Sequence, residues 1–331
     1  MMQLLTGKWV SASISVVAEL GIADLLAKGD QTAEELATAS GVHAPSLYRV
    51  LRALASVGVF AETEGLRFTL TPLASCLRAD APDSMKSFAR FVAMPGAAAA
   101  WGQLMHCVKT GQSGLLKAFN LPNPFEYFKT HHEEAAIFDG AMTDNSRHSA
   151  PAVAEAYGFG RFRQLVDIAG GHGLLLGTIL QRYPNLRGVL FDLPPVIAGA
   201  RGTLASFGLD GRCQAVGGDF FQAVPEGADG YMLKHIIHDW DDERSVAILR
   251  NVRKAMHPQG RLLLVEQVIA PGNEPSFAKW LDLEMLVLPG GRERTGDEYR
   301  DLFAGAGFRL EEIHPTAAGP SVIEGVAATS H

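Results

Sequence analysis

The sequence predicts an α/β protein in two parts: a parallel sheet with helices on both faces, preceded by a mostly helical module of winged-helix outline. Three observations predict it. After Gly160, short apolar strands alternate with amphipathic helices, the rhythm that builds a parallel sheet. Residues up to about 100 show helical spacing that closes on one small hairpin. A chain of 331 residues also exceeds what one core usually supports. The division expected is 1–100 for the winged-helix module, 101–155 for a helical connector contributing to a pocket, and 156–331 for the sheet.

The elements follow in order. "ISVVAELGIADLLAKG" spaces its apolar residues by three and four and stops at Gly29, which reads as one helix with a glycine cap. "TAEELATASGV" opens at Thr32 with Glu35 three residues on, the pattern of a capping box. "HAPSLYRVLRALASVGVF" is a third amphipathic helix, and "FAETEGLRFTLT" is two short strands about a Glu-Gly turn. Such a module can place its third helix in a DNA groove. Its basic residues are only Arg49 and Arg52, the wing carries two acids, and the whole chain has a net charge of −7. Nucleic acid rewards a basic face, so packing against a second copy is the preferred reading. A ligand-responsive DNA-binding regulator stays as the alternative.

The connector holds "NPFEYF" and "AIFDGAMTDNSRHS", with Phe119, Phe125, Tyr127, Phe128 and Phe138. Aromatics so dense are mostly core, although a junction between domains favours an apolar cleft. Beyond it, "QLVDIA", "RGVLFDL", "CQAVGGDFF", "ADGYMLKHI" and "GRLLLVEQVI" are strands. "LLLGTILQRYP", "PVIAGARGTLASFG", "DERSVAILRNVRKAM" and "TGDEYRDLFAGAG" are helices, and "FRLEEIHP" and "SVIEGVAA" form a last strand pair. Ligands of such sheets sit at the carboxyl ends of the strands.

Other classes are disfavoured. Cys76, Cys107 and Cys213 are far apart and form neither a disulfide frame nor a zinc spacing, so reduced, mostly packed thiols are expected. No charged region precedes a clean apolar run at the start, and no stretch reaches the roughly 18 apolar residues of a membrane helix. A cytoplasmic protein with no membrane partner is expected.

The loop after the first strand, "VDIAGGHG", lets backbone N–H groups approach a ligand. Asp192, 25 residues beyond Asp167, ends the second strand, where a carboxylate can accept the hydroxyls of an adenosine ribose. Gly171-His172-Gly173 is followed by Leu176 where a dinucleotide fingerprint needs glycine, and Gly177 comes one residue late. That favours S-adenosylmethionine over a nicotinamide cofactor. Asp219 ends the third strand, where it can meet an adenine amino group while Phe220 packs on the ring.

At these motifs the chain resembles the small-molecule O-methyltransferase family that includes plant caffeate and isoflavone enzymes, acetylserotonin methyltransferase and bacterial antibiotic methyltransferases. "NPFEYF", "VDIAGGHG", "FDLP", "GGDFF", "HDWDDE" and "GGRERT" occur in family order between about residues 120 and 296. The resemblance implies a Rossmann-like class I methyltransferase domain behind a winged-helix dimerisation domain, S-adenosylmethionine as cofactor, a homodimer, and a small-molecule acceptor. It implies a cofactor site of Gly170, Gly171, Asp192, Leu193, Asp219, Phe220, Lys234 and Ser146. Met142, Asp239, Trp280, Met285 and Leu288 would face the acceptor. Ala169 stands where the family usually has a glycine, and His172 where it has a small hydroxyl residue; no role is assigned to His172.

Methyl transfer to a phenol of pKa ~10 is helped by a base, and histidine suits that task. By the resemblance the base is His238 of "HDW", with Glu266 and Glu293 as acids on either side; His235 falls where the family often has a bulky aromatic and is expected to pack. Asp241 and Asp242 read as helix N-terminal acids and not as metal ligands, so no metal is expected. The acceptor is expected to be aromatic or polyketide-like, with nitrogen or carbon acceptors as the alternative.

Overall fold

The structure is a computed structural model that describes residues 1–328 apart from Phe125 and Asp210. Phe125, expected in the aromatic stripe, lies outside the described residues. The chain forms two compact units, Met1–Gly102 with Ala118–Asn145, and Gln103–Lys117 with Ser146–His331.

In the first unit, helices Gly7–Glu19 and Ile22–Leu26 stand where one continuous helix was expected. Gly21 separates them at φ +65°, a left-handed conformation that glycine adopts without a Cβ penalty and that apolar spacing does not reveal. The capping box at Thr32 forms as expected: Thr32 Oγ1 accepts from Glu35 N at 3.2 Å, and Glu35 Oε2 accepts from Thr32 N at 2.7 Å. Helix Ala44–Ala55 buries Leu47, Leu51 and Leu54, an i, i+4, i+7 stripe. Three strands, β1 (Gln31–Thr32), β2 (Phe60–Thr63) and β3 (Arg67–Leu70), pair antiparallel in the order β1-β3-β2. Ile22, Leu36, Leu51, Phe60 and Phe68 form the centre of this core. Met142 also belongs to this unit, on the helix His132–Ala156.

The second unit is built on β4 (Gln164–Ile168), β5 (Arg187–Asp192), β6 (Cys213–Gly217), β7 (Gly230–Lys234) and β8 (Arg261–Glu266), with the short pair β9 (Val268–Ile269) and β10 (Arg294–Thr295) beside them. β11 (Phe308–Pro315) and β12 (Ser321–Ala327) complete a seven-stranded sheet of order β11-β12-β8-β7-β4-β5-β6. β4 to β8 pair parallel, whereas β12 runs antiparallel to both β8 and β11. Alternate residues bury on opposite faces. Val166, Tyr231, Leu233, Leu262 and Leu264 join one core cluster, and Leu165, Met232, Leu263 and Val265 join the other. Burial on both faces is why these strands read as near-continuous apolar runs. The chain leaves β4 for β5 and β6 on one side, then crosses to β7 and β8 on the other. That reversal places the crevice at the carboxyl ends of β4 and β7.

Candidate active site

The β4 loop is a series of left-handed turns: Ala169 at φ +53°, Gly171 at +59° and Gly173 at +78°. Ala169 carries its methyl in a conformation that costs a non-glycine residue roughly 1–2 kcal/mol. A Cβ on Gly170 would lie 2.6 Å from Asp167 Oδ2 and from Leu190 Cδ1, so nothing larger fits there. Gly171 N donates to Asp192 Oδ2 at 2.9 Å, and Leu193 N donates to Asp192 Oδ1 at 2.6 Å. Burial raises the pKa of Asp192 against those two bonds.

Beneath the loop, Asp167 is buried and neither of its oxygens has a hydrogen-bond partner. Burial lifts its pKa to about 7; Lys234 opposes the shift, and the Leu176 amide favours the ionised form without closing a hydrogen bond. Lys234, at the end of β7, is pushed down to about 8 by burial against the pull of Glu266 and Asp167. Its Nζ donates to Ser146 Oγ at 3.2 Å. A buried acid with uncommitted oxygens next to a buried lysine fits a ligand that carries both an ammonium and a carboxylate. Asp219 and Phe220 follow β6 at the same edge. Asp219 Oδ1 accepts from Phe221 N at 2.8 Å, and Phe220 lies 6.3 Å from the Trp240 ring. Leu193 is 53% exposed and offers an apolar surface to a ligand.

His238 sits in the tight turn Ile237–Asp239 just beyond β7 and is 7% exposed. Glu266, at the end of β8, accepts from both Ile236 N (3.0 Å) and Ile237 N (2.9 Å) through Oε1. Arg294 is buried and donates to Ile237 O at 3.1 Å, to Trp240 O at 3.0 Å, and to Asp242 Oδ1 at 2.7 and 3.0 Å. Arg292 N donates to His238 O at 2.8 Å, and Gly291 is pressed so close that a Cβ there would come within 1.9 Å of the same oxygen. The turn is therefore held from both sides by backbone and charge.

Around the ring, His238 Nδ1 is 2.7 Å from Glu293 Oε1 and 3.5 Å from Glu266 Oε2, while Nε2 is 3.6 Å from Asp239 Oδ1. Burial alone would lower the pKa of His238, but Glu266, Asp239 and Glu293 outweigh it and lift it to about 10. Burial also raises Glu266 to about 7 and Asp239 to about 6, with His238 opposing both shifts. Glu293 is itself anchored by its amide, which donates to Asp282 Oδ1 at 2.9 Å.

His238, Asp239, Glu266 and Glu293 thus form one cluster. Asp192 with Gly171, and Lys234 with Ser146, stand at the carboxyl ends of β5, β4 and β7 beside it. Met285 is buried on helix Phe277–Val287, and Leu288 follows it with its carbonyl accepting from Ser113 Oγ at 2.7 Å. Trp280 on the same helix is 68% exposed and joins neither cluster. Asp241 caps its helix as expected, accepting from Arg244 N at 2.8 Å, but Asp242 also holds Arg294. Sequence reasoning passed over Arg294, although it lies inside "GGRERT", and named Asp167 only as a strand-end acid.

A sheet of this order, with a glycine loop over an uncommitted acid and a histidine braced by glutamates, defines an S-adenosylmethionine-dependent methyltransferase. Comparison with known proteins narrows the class. Residues 101–309 match the O-methyltransferase domain model, and residues 2–80 match the O-methyltransferase dimerisation domain. The chain is 48% identical to the phenazine O-methyltransferase of Lysobacter antibioticus, over 98% of its own length and 94% of that protein. It is 38% identical to the 8-amino-8-demethylriboflavin N,N-dimethyltransferase of Streptomyces davaonensis, over 95% and 91% of the two chains. The crystal structure of human N-acetylserotonin methyltransferase in complex with S-adenosylmethionine matches with a TM-score of 0.90 at 27% identity, covering 99% of this chain and 96% of that one. The chain belongs to the O-methyltransferase family: it is an S-adenosylmethionine-dependent O-methyltransferase. Its dimerisation domain indicates a homodimer. Among the described residues, no helix is long and apolar enough to cross a membrane.

Proposed function

We propose that the protein methylates a hydroxyl of a small aromatic or polyketide-like acceptor, with His238 as general base. The observation that carries this reading is the 2.7 Å contact from His238 Nδ1 to Glu293 Oε1. An ionised carboxylate only accepts, so Nδ1 holds the proton and the Nε2 lone pair is left for the acceptor hydroxyl. Three carboxylates favour the imidazolium, and for that reason the ring is held charged before the site fills. The cofactor supplies an electrophilic methyl group on a positively charged sulfur. A bound cation near the ring would disfavour the imidazolium, whose Nε2 proton would leave to solvent and free that lone pair for the acceptor hydroxyl. Glu266 and Glu293 then stabilise the charge that returns as the hydroxyl proton is taken.

On this reading Lys234, Ser146 and Asp167 hold the charged amino-acid end of the cofactor, and Gly170 and Gly171 admit it closely. Asp192 keeps a second lone pair on each oxygen for the ribose hydroxyls, while Leu193, Asp219 and Phe220 receive the adenine. Asp239, Met285 and Leu288 meet the acceptor. Fused aromatic phenols, hydroxyphenazines among them, are the first acceptors to screen, because the Lysobacter relative is a phenazine O-methyltransferase. A nitrogen acceptor is the second reading, favoured by the likeness to the Streptomyces davaonensis N,N-dimethyltransferase.

The test is His238→Ala with a methyl-labelled cofactor and calorimetric cofactor titration. Turnover on a phenol is expected to fall by about 10²–10⁴ while cofactor affinity holds. Unchanged turnover would leave positioning alone as the mechanism.

A further inference from the structure

His235 stands three residues before the base and takes no part in the chemistry above. Its side chain is 10% exposed, and neither ring nitrogen has a hydrogen-bond partner. Facing it, Glu266 Oε2 is fully buried and unpartnered as well, since both loop amides bond to Oε1. Each buried polar atom left unpaired is destabilising. His235 also holds φ +52°, a left-handed conformation that strains a non-glycine residue. An apolar side chain would remove the unpaired nitrogens, so the imidazole at this place calls for a partner.

The spacing of the donors indicates which. His235 Nδ1 is 3.6 Å from Glu266 Oε2, and His238 Nδ1 is 3.5 Å from the same oxygen. Donor atoms of the three residues lie within 4.8 Å of one another. In a tetrahedral site with bonds of about 2.1 Å, neighbouring ligand atoms stand about 3.4 Å apart. Two imidazoles and a carboxylate suit Zn²⁺, Co²⁺ or Ni²⁺, whereas Mg²⁺ prefers oxygen ligands throughout. Three carboxylates, Asp239, Glu266 and Glu293, face His238 and favour a dication, against the one opposing charge of Lys234, which is felt at His235.

We propose that His235, His238 and Glu266 form an inhibitory site for a dication such as Zn²⁺. Ligation at His238 Nδ1 uses the lone pair that now carries the proton shared with Glu293. Starting from the imidazolium, one proton leaves to solvent and the proton that remains sits on Nε2. The ring then has no lone pair for the acceptor hydroxyl, even though the metal lies on the opposite side of the ring from Nε2. Inhibition therefore lowers kcat and leaves the acceptor KM in place. Only this inhibitory consequence rests on His238 being the base; the binding does not.

The test is titration of the chelator-treated full-length protein with Co²⁺. One equivalent per chain is expected to give the intense visible bands of four-coordinate cobalt, displaced by Zn²⁺, and Zn²⁺ is expected to inhibit methyl transfer where Mg²⁺ does not. His235→Phe, which removes both ring nitrogens, should abolish the bands and raise the Zn²⁺ inhibition constant at least tenfold. His235→Asn, which tolerates a positive φ, should do the same, and cofactor titration shows that both variants are folded. Absence of stoichiometric cobalt bands, or bands that persist in both variants and so arise at another histidine, would overturn the site. Binding without a fall in kcat would instead count against His238 as base.

Discussion

On the proposed chemistry His238 must take up a proton, and the carboxylates around it, which raise its pKa, decide when it can. Removing a negative partner weakens its hold, so Glu293→Gln should move the rise of kcat/KM with pH toward lower pH. Profiles of the two enzymes on one phenol check this, because the acceptor's own ionisation cancels. The sign for stability follows from the same raised pKa. The stabilisation from charged His238 is complete below the unfolded value of about 6.5 and fades as pH climbs toward about 10. A second expectation belongs to this scale: activity in EDTA is undiminished, since nothing in the proposed chemistry uses a metal, and loss restored by Mg²⁺ would contradict it. The "HDW" motif and its glutamates were legible only through the family resemblance, since each residue taken singly reads as a loop or surface group. The strain at Ala169 and His235 was not, since φ is set by how each loop is pinned at both ends.

The turn that bears His238 is held by the segment Gly291–Arg294, and Arg294 is the chief fastening. It is 1% exposed and spends its planar fork on Asp242 and three carbonyls. Arg294→Ala leaves buried carbonyls short of a donor, at about 1–3 kcal/mol each, while Asp242, 62% exposed, stays solvated. Urea unfolding should show a loss of that size. Arg294→Lys should recover little of it, because an ammonium does not reproduce the fork. The element was found by sequence and its function was not: an arginine in a loop reads as surface charge until the fold encloses it. The helix break at Gly21 escaped for a related reason, as apolar spacing continues across it unchanged.

At the scale of the molecule, the rhythm of apolar runs was enough for the sheet, because strands buried on both faces leave a signal with little else in it. The strand order, with its reversal at β4, follows from right-handed crossovers that no local pattern records. The dimerisation module exposes Met2, Leu4, Leu5 and Trp9 on its first helices. Apolar side chains crowded on one surface mark a face that another chain covers. Light scattering should give twice the 35.5 kDa chain mass, and Trp9→Glu should shift it toward the monomer at low concentration.

His238 meets Glu293 across 55 residues of chain, and Ile237 meets Glu266 across 29. No local stretch, even one already helical or extended, brings these side chains together. During refolding the catalytic signal should therefore return in the last kinetic phase, after far-ultraviolet dichroism has recovered, because contacts so distant in sequence are slow to close. Methyl transfer in this chain is thus also a clock that reads the completion of its own folding.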